Sequence, residues 1–376
     1  MKTIKLNSPI KFLLLVTMLI VMLSGCEANN FSAKSGWSGA VTVDDTVYIG
    51  TQEARLAAFD KNTGQVLWQY PNTEEEDFKG LYGSPVVKDN LIYIGSYGES
   101  SGSLYAINIE TRQKIWSFKS DGHIVGSPVL TDNSVIFGTS NGTLYSLAIE
   151  DGVQEWDFQT GNKIWSTPVV EQDIIYVSSL DRNLYALTLD GKELWKFPTK
   201  GAIAATPLVV DGTIYIGSFD KHFYAIDATK GTEQWSSPFR GDNWFWAKAT
   251  SDESNIYAAS LDGNIYAINK YNGSSSWTNP FDTKAPIVSD PVLIPSGLVV
   301  ANHNGDVFLL DKDTGSELRS FSIKDPVRAP IKSTGADSVI YISAMNHTVR
   351  AVNLEGTLWR DLWCYDSKEN RTCESG

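Results

Sequence analysis

Eight times between Trp37 and Trp363 the chain repeats one pattern, and that recurrence confines it to a repeat architecture. The clearest copy runs Thr206-Pro207-Leu208-Val209-Val210-Asp211, then Ile214-Tyr215-Ile216-Gly217-Ser218, then Phe223-Tyr224-Ala225-Ile226-Asp227, and closes on Gly231 and Trp235. Variants of Leu-Tyr-Ala-Ile start at Leu56, Leu104, Leu144, Leu184, Phe223, Ile265, Val307 and Val349. The closing indole recurs at Trp68, Trp116, Trp156, Trp195, Trp235, Trp277 and Trp359, with Arg319 in the seventh slot. A period near forty residues with several short strands per unit marks propeller blades.

Helix does not fit these units. Runs such as Ile92-Tyr93-Ile94 and Val135-Ile136-Phe137 are β-branched and aromatic, without the three-and-four spacing of an amphipathic helix. Turn formers bound them, for example Asp89-Asn90 and Gly95-Ser96. The expected fold is all-β: an eight-bladed β-propeller with four antiparallel strands per blade, named A to D from the axis outward. Strand A follows a Ser/Thr-Pro pair, strand B is Ile-Tyr-Ile-Gly, strand C is Leu-Tyr-Ala-Ile, and strand D carries the indole. Turns such as Asp60-Lys61-Asn62-Thr63-Gly64 join C to D, with Asp at the start and Gly where positive φ is wanted. The indoles read as wedges filling the widening gap between outer blade edges, so Arg319 predicts a weak seam after the seventh blade.

The expected organisation is a leader over 1–25, a tether over 26–36, the propeller over 37–363 and a polar tail over 364–376. Lys2, Lys5 and Lys11 precede an apolar run over 12–23, too short to span a bilayer comfortably. The run ends in Leu23-Ser24-Gly25-Cys26, which resembles the lipobox of bacterial lipoproteins. That resemblance implies cleavage before Cys26 and lipidation there, with anchoring by two or more chains. Cys364 and Cys373, nine apart in an exported chain, read as a disulfide, with free thiols as the alternative. Acidic residues outnumber basic ones 44 to 31, giving a net charge of −13. No basic stretch tracks a phosphate backbone, so nucleic acid is excluded as an expected partner.

The stretches Ala58 to Trp68 and Ala225 to Trp235 resemble the tryptophan-docking motif of propellers related to pyrroloquinoline quinone enzymes, and the resemblance covers the whole mature chain. A lipidated single-domain chain of this size looks most like the branch serving the Bam outer-membrane assembly machinery. The resemblance implies a non-enzymatic scaffold without a cofactor. It would dock a membrane-barrel assembly protein or its clients at the periplasmic face of the outer membrane, or at the cell surface of a cell lacking one. Scaffolds of that branch engage their partner through a loop containing Leu and Arg; Pro198 to Ile203, the equivalent stretch, has no such pair. The quinoprotein dehydrogenase reading requires adjacent cysteines, which this chain lacks.

Candidate recognition residues lie ahead of strand A. Three positions before its Pro slot stand Trp37, Tyr82, Val125, Trp165, Ala204, Trp246, Val288 and Val327, and Trp244 adds to the sixth blade. Trp37, Tyr82, Trp165, Trp244 and Trp246 are therefore expected to ring the funnel mouth. Such a rim suits an extended segment of another protein, or a flat quinone-like ligand, or simple plugging of the axis. His123, His222, His303 and His347 fall on the same face but on different blades, so no metal site is expected. Asp311-x-Asp313-x-Gly315 echoes a calcium loop but reads as a hairpin. Asp181, Asp220 and Asp262 share one B–C slot and read as local side-chain to backbone bonds.

Overall fold

Each repeat folds into its own antiparallel sheet, with strand order following chain order. The first blade is Val41–Val43, Thr46–Gly50, Leu56–Asp60 and Val66–Tyr70; the fifth is Leu208–Val210, Thr213–Gly217, His222–Asp227 and Phe239–Arg240. The eight blades span 41–70, 86–119, 129–159, 169–198, 208–240, 250–282, 292–322 and 332–372. The computed structural model describes residues 36–71, 79–335, 338–356 and 359–373, so Cys26, the leader and most of the tether lie outside the described residues.

Strands B and C are buried on both faces because a neighbouring blade covers each side. Apolar clusters occupy the eight seams between consecutive blades, including one joining the last to the first. The closing cluster packs Val47, Ile49 and Phe59 of blade 1 against Tyr341, Val349 and Trp363 of blade 8. Each such buried aliphatic or aromatic side chain contributes roughly 1.5–3 kcal/mol. Among the described residues no strand is shared between blades 1 and 8, and the contacts across that seam are made by side chains.

The indoles work by a cross-blade rule. Each docks on the C–D turn of the following blade. The Nε1–H of Trp116, Trp156, Trp195, Trp235 and Trp277 donates to the carbonyls of Ile149, Leu189, Ala228, Lys270 and Lys312. The ring face lies over that turn's glycine: a Cβ on Gly315, at φ +74°, would sit 2.6 Å from Trp277. Positive φ and missing Cβ are thus both required there. Trp68 is buried in the same manner beside Tyr48.

Three expectations need correction in blade 8. Trp363, not Trp359, is its docking indole: it pairs with Ala351 in register and donates to Lys61 O of blade 1 at 2.8 Å. The turn after Asn353 is longer than its siblings, so counting one period from Arg319 lands short. Trp359 is 39% exposed and stacks on Phe321 of blade 7, with centroids 4.5 Å apart. The propeller also runs past 363. Strand D of this blade is Arg360–Asp366, and Arg371–Thr372 adds a fifth strand. Cys364 and Cys373 are disulfide-bonded and clamp that fifth strand to strand D, so the stretch read as a tail belongs to the sheet. Finally, Lys332 pairs with Tyr341 as Val292 does with Val299, so blade 8 is shifted by one and Arg328 replaces Val327 in the rim slot.

Arg319 does not leave its seam bare. Its guanidinium donates to Leu354 O at 2.8 Å, the bond an indole makes elsewhere, while Trp359 covers the adjacent surface.

Candidate functional site

Strand A of every blade faces the ring axis, and together they bound a channel of about 640 Å³. Its mouth is set by the residue four positions ahead of each strand A. One position earlier stands a fully buried apolar residue in blades 2 to 8, such as Ile164, Ile203, Phe245 and Val327, which locks each loop into its seam. The next side chain is thereby turned to the lumen. Trp37, Tyr82, Trp165 and Trp246 line the channel. Trp244 does not line it and is 43% exposed outside the mouth.

Two aromatic groups result rather than one ring. On blades 1 to 3, Trp37 meets Tyr82 edge-on at 4.6 Å, Tyr82 meets Tyr97, and Tyr97 stacks flat on His123 at 3.7 Å. Tyr82 is buried, so the first group offers Trp37 as its open face, with Arg328 lying over that indole. On blades 4 to 6, Trp244 stacks on Phe219, Phe219 on Trp246, and Trp246 meets Trp165 at 5.8 Å. Blades 4 and 6 touch here because blade 5 carries only Ala204 in the rim slot. Lys163 caps the strip over Trp165. Phe219 was not among the sequence candidates. Its signal is an aromatic in a B–C turn slot that holds Leu180 and Leu261 in blades 4 and 6.

The histidines remain apart. His222 bonds Asp220 O, His347 contacts Glu53 of blade 1, and burial pushes His123 and His303 below the usual histidine range. Among the described residues no three His, Cys, Asp or Glu converge as metal ligands. Asp311 Oδ1 accepts from Asp313 N, Thr314 N and Thr314 Oγ1, which makes it an Asx turn.

The B–C aspartates do more than tie their own turn. Asp220 accepts from His222 N, from Tyr224 Oη at 2.7 Å, and from Lys200 N of the loop entering blade 5. Asp181 and Asp262 repeat the triad with Tyr185 and Gly161, and with Tyr266 and Asp242. These carboxylates fix the loops that carry the rim.

A family model described as outer membrane protein assembly factor BamB matches residues 80–164, 157–244 and 238–373. The chain belongs to the BamB family. The BamB of Shewanella oneidensis is 32% identical over 81 residues, 22% of this chain and 18% of that protein. A quinoprotein ethanol dehydrogenase of Pseudomonas putida is 33% identical over 87 residues, 21% of this chain and 14% of the enzyme. The chain thus spans a small fraction of the curated relatives it matches. The crystal structure of BamB from Moraxella catarrhalis superposes with a TM-score of 0.71 at 21% identity, covering 84% of this chain and 94% of that one. A computationally designed protein, Ika8, superposes with a TM-score of 0.72 at 17% identity. These two likenesses carry the propeller fold; the family match carries membership.

Proposed function

We propose that the protein is an exported scaffold, lipidated at Cys26, that docks other proteins during outer-membrane protein assembly and performs no chemistry itself. The observation that carries this reading is the aromatic strip Trp244–Phe219–Trp246–Trp165, running from an exposed indole inward to the channel mouth. Stacked rings held by a rigid framework present large contact area at small entropic cost, which is how recognition hot spots are built. Membership of the BamB family, whose description names outer membrane protein assembly, supports the process; the name of the Shewanella relative agrees. The occupant is an extended segment of a partner protein laid across blades 4 to 6.

The test is co-purification from membranes with tagged, full-length protein. Trp165→Ala together with Trp246→Ala should lose the partner while melting within a few degrees of wild type. Partner recovery equal to wild type would remove the strip from the docking surface. Cys26→Ser should release the protein from the membrane fraction.

A further inference from the structure

From the rim downward, the channel changes character on blades 6 to 8. Its charged lining is Lys248, Asp290, Arg328 and Lys332, three cations against one carboxylate, in a chain whose net charge is −13. All four come from blades 6 to 8.

On blades 2 to 5 the equivalent layer is Ser84, Ser127, Thr167 and Thr206, and a run of hydrogen bonds passes along it. Ser84 N–H donates to Ser127 Oγ at 2.8 Å, Ser127 N–H to Thr167 Oγ1 at 3.0 Å, and Thr167 N–H to Thr206 Oγ1 at 3.0 Å. The run breaks at Lys248, which has no acceptor, and resumes with Lys248 N–H donating to Asp290 Oδ1 at 2.9 Å. Ser127 Oγ, Thr167 Oγ1, Thr206 Oγ1 and Asp290 Oδ1 thus each accept from a backbone donor, while the layer's hydroxyl hydrogens and ammonium groups meet no acceptor among the described residues. No salt bridge joins Lys248, Arg328 or Lys332 to a carboxylate among the described residues.

Lys332 also has room made for it. In blade 1 the layer position is Gly39, where an added Cβ would lie 2.5 Å from Ser84 Oγ and 3.4 Å from Lys332 Cε. The lumen is donor-rich, cation-rich and walled by apolar strands that strengthen electrostatic attraction. Burial holds the Lys248 ammonium below the usual lysine range, with Asp290 opposing that shift and Lys332 adding to it. Burial likewise raises the Asp290 carboxyl, against the pull of Lys332 and Lys248.

We infer that the axial channel is a binding site for one small multivalent oxyanion, a polycarboxylate or a phosphate, held by Lys248, Lys332 and Arg328. Its volume falls within the range of small-molecule pockets. Trp165 and Trp246 stand at the entrance, so occupancy changes their surroundings and gives an optical signal. The site lies beneath the protein-docking strip and does not depend on it.

The experiment titrates citrate and, separately, inorganic phosphate into the intact mature protein at constant ionic strength in chloride, read by tryptophan fluorescence and by calorimetry. One ion per chain is expected from at least one of the two, and which one binds identifies the oxyanion class. Lys248→Met and Lys332→Met should each weaken it tenfold or more. Asp290→Asn should tighten it, since a competing carboxylate charge is removed; because that variant gains affinity, misfolding cannot mimic it. Failure of both anions to bind wild type overturns the inference. So does binding unchanged in both lysine variants, or weakened by Asp290→Asn in a protein with native circular dichroism.

Discussion

The indole of Trp363 lies against Gly64, where an added Cβ would fall 2.5 Å from the ring, and its Nε1–H reaches Lys61 O across the seam between the last and first blades. Among the described residues no strand is shared there, and this contact joins the pairing of Gln52 Nε2 with Ala344 O at 2.7 Å, Gln69 Nε2 with Tyr365 Oη at 3.1 Å, His347 with Glu53, and the cluster around Phe59 in holding the ring shut.

Trp363→Ala is therefore expected to cost about 3–5 kcal/mol, the usual range for truncating a buried indole. Trp359→Ala removes one exposed stack and should cost about 1 kcal/mol. Urea denaturation of the two variants decides between them. Equal losses, or a larger loss at Trp359, would mean that the wrong indole has been placed at the closure.

The seventh seam makes a second test. Arg319→Ala leaves Leu354 O without its donor and should cost about 1–2 kcal/mol. Arg319→Trp should recover that loss, since an indole N–H makes this bond in the neighbouring blades and Gly356 has open space around it. A tryptophan variant less stable than the alanine one would show that Trp359 and Phe321 already fill the wedge.

Blade number, strand order and the axial position of strand A were legible in the sequence because each rests on local chemistry: β-branched runs, Asx turns and a fixed period. The misassignments at Trp359 and Val327 share one cause. A longer turn after Asn353 and a one-residue shift before Lys332 leave the hydrophobic pattern intact while moving the register, and only strand pairing reveals that. The strip through Phe219 was hidden for a different reason. Trp165 and Trp246 are 81 positions apart and meet only because the ring closes over small Ala204. Lys248 and Asp290 interrupt the Ser/Thr slot, a departure the sequence reading did not single out, and their meaning rests on the hydrogen bonds running along the layer.

Removing the Asp220 carboxylate should be costly. Asp220→Ala strands the Tyr224 hydroxyl, whose ionisation burial and that carboxylate together suppress, and frees the loop at Lys200. About 2–3 kcal/mol is expected, against about 1 kcal/mol for Tyr224→Phe, which removes one donor and leaves the loop bond. Hydrogen exchange at Lys200 N–H should accelerate in the alanine variant only. Acceleration in both would mean that the tyrosine, not the carboxylate, anchors the loop.

Acid stability should depend on the C–D turns. Asp60 is held below the usual carboxylate range by the Thr63 hydroxyl and backbone, Asp227 by the N–H groups of Lys230 and Thr229, and Asp311 by the backbone and hydroxyl of Thr314. A depressed carboxyl in the folded state means the unfolded chain takes up protons first as pH falls. The stabilisation is thus complete above the ordinary aspartate value of 3.8 and is lost as pH drops through the lower folded values. Asn108 and Asn269 build the same turn with no titrating group. Replacing Asp60, Asp227 and Asp311 together by Asn should therefore leave stability near neutrality almost unchanged and flatten its decline below about pH 4. Denaturation midpoints measured from pH 6 down to pH 2 test this: an acid limb that superimposes on wild type would place the acid sensitivity elsewhere in the ring.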